Sequence, residues 1–409
     1  MITAEEFNKD LEDIVFPRVS GGRHEEKAFQ ILREKIKSYG IKPKVKHFRF
    51  TTFFSRLYPK ISMVLLMVYL VFNYLDPGAF LADMSTRAII GIFLLLIIIT
   101  RRPERLLIGF KKDSKNFLVD LNPLNAIHSD APKDFLESND HLNIYFMAHV
   151  DSKSQRFSIR TRMGFIRLWF IYFPSTLILI IIKNCFLRKN MDLLDLITLF
   201  PLSIFIFASL GIIFNTTNNK SPGAVDNGSG MICLLQLLKY FAEKENRPNN
   251  IKLNFLFTGA EECGTIGIRV FYNDFKKQNR GDKNLFLNFD AIGKQVYVIS
   301  HRNDDKEFDG ILGEFTNSSS SDFLNLRFKK NKGFIGIHTD GYYLKKRKLT
   351  CVSFGDWESL KYIHSEKDTL DKIDPLVLKS LCEFIIRKIH KIDVQQCHSK
   401  GKDLNKEKG

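Results

Sequence analysis

Four stretches of the chain are apolar almost without interruption, and they come in two pairs. Residues 57–75 (LYPKISMVLLMVYLVFNYL) and 88–100 (AIIGIFLLLIIIT) lie on either side of a short turn holding Asp76, Pro77 and Gly78, while residues 168–182 (LWFIYFPSTLILIII) and 196–214 flank a polar stretch from Lys183 to Asp195. A helix that crosses the hydrocarbon layer needs about 20 largely apolar residues, so the two shorter runs must recruit their neighbours. Helices buried in a soluble core normally keep a polar stripe at helical period, and these runs show almost none. The pattern predicts two transmembrane hairpins, at 57–100 and 164–214, four membrane helices in all. Basic residues crowd their outer ends: Arg56, Lys60, Arg101, Arg102 and Arg105, then Arg156, Arg160, Arg162 and Arg167. The inner turns carry fewer, offset by Asp76, Asp83, Asp192 and Asp195. By the positive-inside rule the outer ends, both termini and every large polar segment are expected to face the cytoplasm.

Outside the hairpins the pattern alternates between strand and helix. Helices are expected at Glu5–Ile14, His24–Tyr39, Met231–Glu243 and Pro375–Ile392, and strands at Lys44–Phe53, Leu142–Ala148, Leu253–Thr258, Leu285–Phe289, Val296–Ser300 and Leu349–Phe354. Such alternation predicts one layered α/β domain, assembled from 1–56, 101–163 and 215–397 and interrupted twice by membrane segments. The lysine-rich end, 398–409, reads as a disordered tail.

Charge changes this picture little. The 409 residues carry a formal net charge of +16, which a membrane-facing basic collar largely accounts for; nucleic-acid binding then loses its main support. Six scattered cysteines without a CxxC pair point to neither a disulfide framework nor a thiolate zinc site. The acidic start, MITAEEFNKDLEDIVF, does not read as a cleavable signal. A transporter would need interior membrane charges that the four runs lack.

The candidate chemistry stands at strand ends, where ligands of open α/β sheets gather. His149 and Asp151 follow IYFM in AHVDS; a single histidine there is more often structural, but an aspartate two residues on could orient an imidazole. Asp226 sits in SPGAVDNGSG, ordinarily a helix cap or turn. Glu261 and Glu262, in LFTGAEECGTIG, could be a solvated pair or one ligand beside one proton acceptor. Asp290 closes LFLNFDAIG, and His364 lies in YIHSEKDT. Each signal is weak alone; their order and spacing together are strong.

That order, HxD, GAxDNxSG, EExGxxG, DxIG and a late histidine before a DT pair, resembles zinc peptidase family twenty-eight, whose members include leucyl-type aminopeptidases, glutamate carboxypeptidases, glutaminyl cyclases and the transferrin receptor. The opening phrase RVSGGRHEEKAFQILREKIKSYG is similar to that family's first helices, so the likeness covers nearly all the chain outside the hairpins. It implies a three-layer α/β/α aminopeptidase-like domain with a central mixed sheet. It further implies two zinc ions, with Asp226 bridging, one ion also held by His149 and Asp290 and the other by Glu262 and His364. Glu261 would be the general base and Asp151 would orient His149. A cis peptide is implied between Asp226 and Asn227. The implied activity is release of N-terminal residues from peptides; the alternatives are a glutaminyl cyclase-like acyltransferase or a catalytically silent membrane scaffold. The departures are the hairpins themselves, Ser365 where threonine is usual and Thr339–Asp340 where serine–aspartate is common. The second hairpin follows HVDS directly, so membrane segments are expected beside the site. Side-chain preference and oligomeric state are left open.

Overall fold

The computed structural model describes residues 3–75, 78–125, 142–186, 191–278, 283–301, 309–316, 326–328 and 339–406. It divides into two compact units: Met1–Arg49, Lys112–Lys153 and Asn219–Gly409 form one, and Phe50–Lys111 with Ser154–Asn218 form the other. The second unit holds both apolar hairpins, and its two segments divide the first unit's sequence into three.

The strands are β1 (Lys44–Thr51), β2 (Lys111–Leu121), β3 (Leu142–His149), β4 (Ser154–Gln155), β5 (Thr217–Asn218), β6 (Lys252–Thr258), β7 (Lys283–Phe289), β8 (Val296–His301), β9 (Leu326–Phe328) and β10 (Thr350–Gly355). Eight of them make one mixed sheet in the order β1-β2-β6-β3-β7-β10-β8-β9. Its centre is parallel: β3 pairs with β6 and β7, and β7 with β10, whereas β2 and β8 run antiparallel to their neighbours β6 and β10. Parallel strands covered on both faces read as continuous apolar runs, which is how IYFMA, LNFLF and LFLNF read. Helices α1 (Ala4–Ile14) and α2 (Arg23–Ser38) open the chain; after the membrane helices α3 (Tyr58–Tyr74), α4 (Ala79–Thr100), α5 (Ile159–Phe186) and α6 (Met191–Ile213) come α7 (Gly230–Ala242), α8 (Ile266–Gln278), α9 (Asp309–Thr316), α10 (Asp340–Lys346) and α11 (Pro375–Lys406).

Side chains alternate across the sheet. On one face Tyr145, Met147, Leu256 and Phe286 pack with Ile268 and Phe275 of α8 and with Tyr343 and Leu344 of α10. On the other, the Phe146 ring stacks 4.8 Å from Phe255 and 6.5 Å from Phe241 of α7. Each fully buried phenylalanine stabilises the domain by roughly 1.5–3 kcal/mol over its exposed state. Four cysteines, Cys233, Cys263, Cys351 and Cys382, are free and buried, in agreement with their reading as scattered thiols.

In the second unit four helical segments, Phe53–Tyr74, Phe80–Thr100, Ile159–Lys183 and Leu193–Ile213, are long and apolar enough to cross a membrane, with mean hydropathies of 1.4, 2.0, 2.1 and 2.4. The shorter runs do extend: α4 begins at Ala79, nine residues before the apolar run starts at Ala88. Leu70, Ile180, Leu202 and Phe205 form an internal seam, while Phe80, Ile98 and Phe200 remain 66–77% exposed. Exposed apolar surface on that scale is unfavourable in water and ordinary in lipid. Between the inner ends, Lys183 Nζ meets Asp195 Oδ1 at 2.5 Å and the Tyr74 carbonyl at 2.8 Å; the expected offset of inner-turn charges is thus a direct ion pair. Asp76, Arg188 and Lys189 lie outside the described residues.

Several elements differ from the sequence pattern, among them three long ones. Strand β2 was not expected, because its first half, KKDSKN, is polar. Helix α8 was not expected either, its apolar positions being interleaved with Arg269, Asn273, Lys276 and Lys277. Helix α11 runs to Lys406, so the segment expected as a disordered tail is helical as far as that residue; no proline interrupts it, and 407–409 lie outside the described residues.

Candidate metal centre

The register of the sheet brings the site together. His149 ends β3 opposite Thr258 of β6, and Phe289 at the end of β7 lies opposite Phe354 of β10. The loops leaving these strand ends therefore open at one level. They carry Asp290 and the Glu261–Glu262 pair, and the segments with Asp226 and His364 complete the group.

Asp226 is its middle. Its Oδ1 lies 3.1 Å from His149 Nε2 and its Oδ2 3.0 Å from His364 Nε2. His149 Nε2 is also 3.6 Å from Asp290 Oδ1, and His364 Nε2 is 3.2 Å from Glu262 Oε1. Two trios result, His149–Asp226–Asp290 and Asp226–Glu262–His364, the ligand-type atoms of each lying within 4.8 Å of one another. The Asp226–Asn227 peptide is cis, as the resemblance implies.

Electrostatics follow from burial. Burial opposes charge on Asp226, but its hydrogen bonds with His149 and His364 hold its carboxyl well below the usual range. The same pairing outweighs burial at His149, where Asp226 and Asp290 raise the imidazole well above its usual value. His364 is raised too, by Glu262 and Asp226, against burial and Lys153. Glu261 goes the other way: burial first, then Glu262, Asp340 and Asp290, push its carboxyl well above the usual value against the pull of His149. Carboxylates so close together would repel strongly without cations between them.

The supporting residues explain the motifs physically. Asp151 does not orient His149 through its carboxylate, which stands 3.8 Å from Nδ1; the Asp151 carbonyl oxygen is nearer, at 3.0 Å. The carboxylate accepts instead from the Glu261 and Glu262 backbone N–H groups at 3.0 and 3.1 Å and from the Ser20 hydroxyl at 2.5 Å. It thus aims the glutamate turn. Asn227 joins two loops: its Nδ2 donates to the Phe289 carbonyl at 2.8 Å, and its Oδ1 accepts from the Gly230 and Ala291 N–H groups. Position 230 must be glycine, since a Cβ there would come 2.2 Å from Asn227 Oδ1 and 2.5 Å from the Phe289 oxygen. Asp368, of the DT pair, accepts from the Val225 and Asp226 N–H groups at 2.7 and 3.2 Å, and burial pushes its carboxyl up to about 7.

Three more supports were not singled out from the sequence. Arg18 is fully buried, and its guanidinium donates to the carbonyls of Ile14, Phe16, Val150, Pro222 and Gly223, clamping the His149 loop to the Asp226 loop. Glu25 accepts from Gly21 N–H, Ala260 N–H and the Ser114 hydroxyl. Lys153 pairs with Glu262 Oε2, which fixes that carboxylate with Oε1 toward His364. The arginine lay within the quoted RVSGG phrase; the partners it holds are backbone groups, which leave no mark in a sequence. Backbone strain collects here as well: Ala260, Ala291 and His364 all have φ between 53° and 60°, a region costly for residues with a Cβ and often found at functional sites.

A model of the family described as peptidase family M28 matches residues 209–388. That stretch, under half of the chain, is similar to peptidase family M28. That match spans Asp226, Glu261, Glu262, Asp290 and His364; His149 and Asp151 precede it. Among curated proteins, a probable aminopeptidase of Saccharomyces cerevisiae is 29% identical over 167 residues, 37% of this chain and 42% of its own length. A vacuolar membrane protease of Sclerotinia sclerotiorum is 26% identical over 150 residues, 36% of this chain and 13% of its own length. The chain thus spans under half the length of the curated relatives it matches. Among solved structures, an aminopeptidase from Aneurinibacillus sp. strain AM-1 aligns with a TM-score of 0.55 at 13% identity, covering 95% of this chain and 93% of that one. A zinc aminopeptidase from Bacillus subtilis aligns with a TM-score of 0.52 at 12% identity, covering 96% of each. The structural likenesses show that the chain has an aminopeptidase-like fold.

Proposed function

We propose that this chain is a membrane-embedded zinc aminopeptidase that removes N-terminal residues from peptides. The observation that carries the proposal is Asp226, whose two oxygens face two different histidines, each of which faces a second carboxylate. Imidazole nitrogen and carboxylate oxygen without thiolate suit zinc in a hydrolytic site. His149, Asp226 and Asp290 would hold one ion, and Asp226, Glu262 and His364 the other. Bound zinc supplies Lewis acidity, activating a water and polarising the scissile carbonyl.

The remaining work falls to the chain's own residues. Asp151 holds the Glu261–Glu262 turn by its backbone, so Glu261 is aimed independently of its side chain. Glu261 takes a proton from the attacking water and returns it to the leaving amine, a task suited to a carboxyl whose affinity for protons is raised by burial. Full-length protein purified in detergent and dialysed against a chelator should lose hydrolysis of amino-acid anilides and recover it on addition of zinc. Activity that survives complete zinc removal would overturn the proposal. Cyclisation of N-terminal glutamine peptides without hydrolysis would favour the cyclase instead.

We further place the soluble domain and both termini on the cytoplasmic side, on the basic residues at the outer helix ends. Cys397 is free and exposed, which gives a direct check. In a Cys185→Ser background, which removes the thiol at the inner end of α5, a membrane-impermeant maleimide should label Cys397 in whole cells only after permeabilisation; labelling of Cys397 in intact cells would reverse the orientation.

A further inference from the structure

We propose that the second unit contains a binding site for the phosphate-bearing headgroup of an anionic phospholipid, between the start of α3, the start of α5 and the end of α6. A cavity of about 340 Å³ lies there, roughly the volume of ten waters. Its lining includes the basic side chains of Arg56, Lys60 and Arg162, and among the described residues no aspartate or glutamate lines it. Among the described residues, neither Arg56 nor Lys60 has a side-chain ion pair, so these two charges are not cancelled by a paired carboxylate.

The same lining includes the apolar side chains of Phe165, Ile166 and Ile212. A cavity lined by both basic and apolar side chains at the end of membrane helices fits an amphiphile: phosphate against the guanidinium and ammonium groups, glycerol and the first acyl carbons against the aromatic and aliphatic side chains. Free phosphate would leave the apolar side chains uncovered. Gln155 lines the same cavity, and its Oε1 is buried without a hydrogen-bond donor, an acceptor for a headgroup hydroxyl. The N-termini of α3 and α5 add their positive dipole ends. A second recess at the end of α4, lined by Arg101, Arg102 and Arg105, repeats the charge at the end of the first hairpin. Basic recesses among transmembrane helices are a recurrent mode of lipid recognition.

The test uses full-length protein in a non-ionic detergent, with lipid adducts quantified by native mass spectrometry and by thermal melting. Phosphatidylglycerol should bind at least tenfold more tightly than phosphatidylcholine of the same chains and should raise Tm. The Arg56→Gln/Lys60→Gln variant should bind it roughly thirtyfold more weakly, each basic group near a membrane surface contributing about fivefold. Arg160→Gln, on the exposed side of α5 away from the cavity, should bind as the unaltered protein does. Should the double variant not fold, Lys60→Gln alone must still weaken binding about fivefold. Equal retention of the two lipids, an unaltered affinity in the Lys60 variants, or binding of inorganic phosphate alone would overturn the site. Glu261→Gln protein should bind phosphatidylglycerol normally, which separates this site from the peptidase reading.

Discussion

Glu261→Gln is expected to lower anilide hydrolysis by about 10²–10⁴-fold, the usual worth of a positioned general base, while zinc content stays unchanged. The side chain keeps its size, and the backbone N–H that Asp151 holds remains in place, so the glutamate turn should not move. Glutamine cannot accept the proton, and the loss should therefore fall on kcat with little change in KM. Metal analysis beside steady-state kinetics decides it. A variant that loses zinc as well would make Glu261 a ligand; one that keeps both zinc and activity would remove it from the reaction. Glu262→Gln is the contrast: it weakens a carboxylate within 3.2 Å of His364 Nε2, so metal content and activity should fall together.

How much of this could be read beforehand depends on what kind of partner each residue has. Strands β3, β6, β7 and β10 were legible because burial on both faces leaves an apolar run that the next polar residue ends, and His149, Glu261 and Asp290 stand at or just after such ends. The hairpins were legible for a related reason, the absence of any polar stripe. Strand β2 was not, since KKDSKN lacks the apolar run and its lysines read as part of the basic collar. The metal-type residues announced themselves by residue type and order. Arg18 and Glu25 did not, because the partners through which they tie loops together include carbonyl and N–H groups more than a hundred residues away, and a backbone group carries no residue identity. Asp151 shows the intermediate case. Its place beside His149 was legible, but the choice between its carbonyl and its carboxylate as the His149 partner is set by loop geometry alone.

Asp226→Asn should cost both metal ions, not one. If two separate sites merely stood side by side, removing one ligand would empty one of them and leave the other loaded. Here a single carboxylate faces His149 with Oδ1 and His364 with Oδ2, so each trio loses an anionic donor when one oxygen becomes an amide nitrogen. The amide has at most one good donor oxygen to offer, and the negative charge that two nearby dications would share would be gone. Zinc per chain should fall from near two to below one half in dialysed protein, with hydrolysis lost accordingly. Asp290→Asn, which touches only the His149 trio, should lose close to one ion. Backbone placement should survive in both, because Val225 and Asp226 are held from the main chain by Asp368 and the loop is pinned by Asn227. Loss of equal amounts of zinc from the two variants would mean that the bridge is not shared, and the ligand assignment built on Asp226 would fall with it.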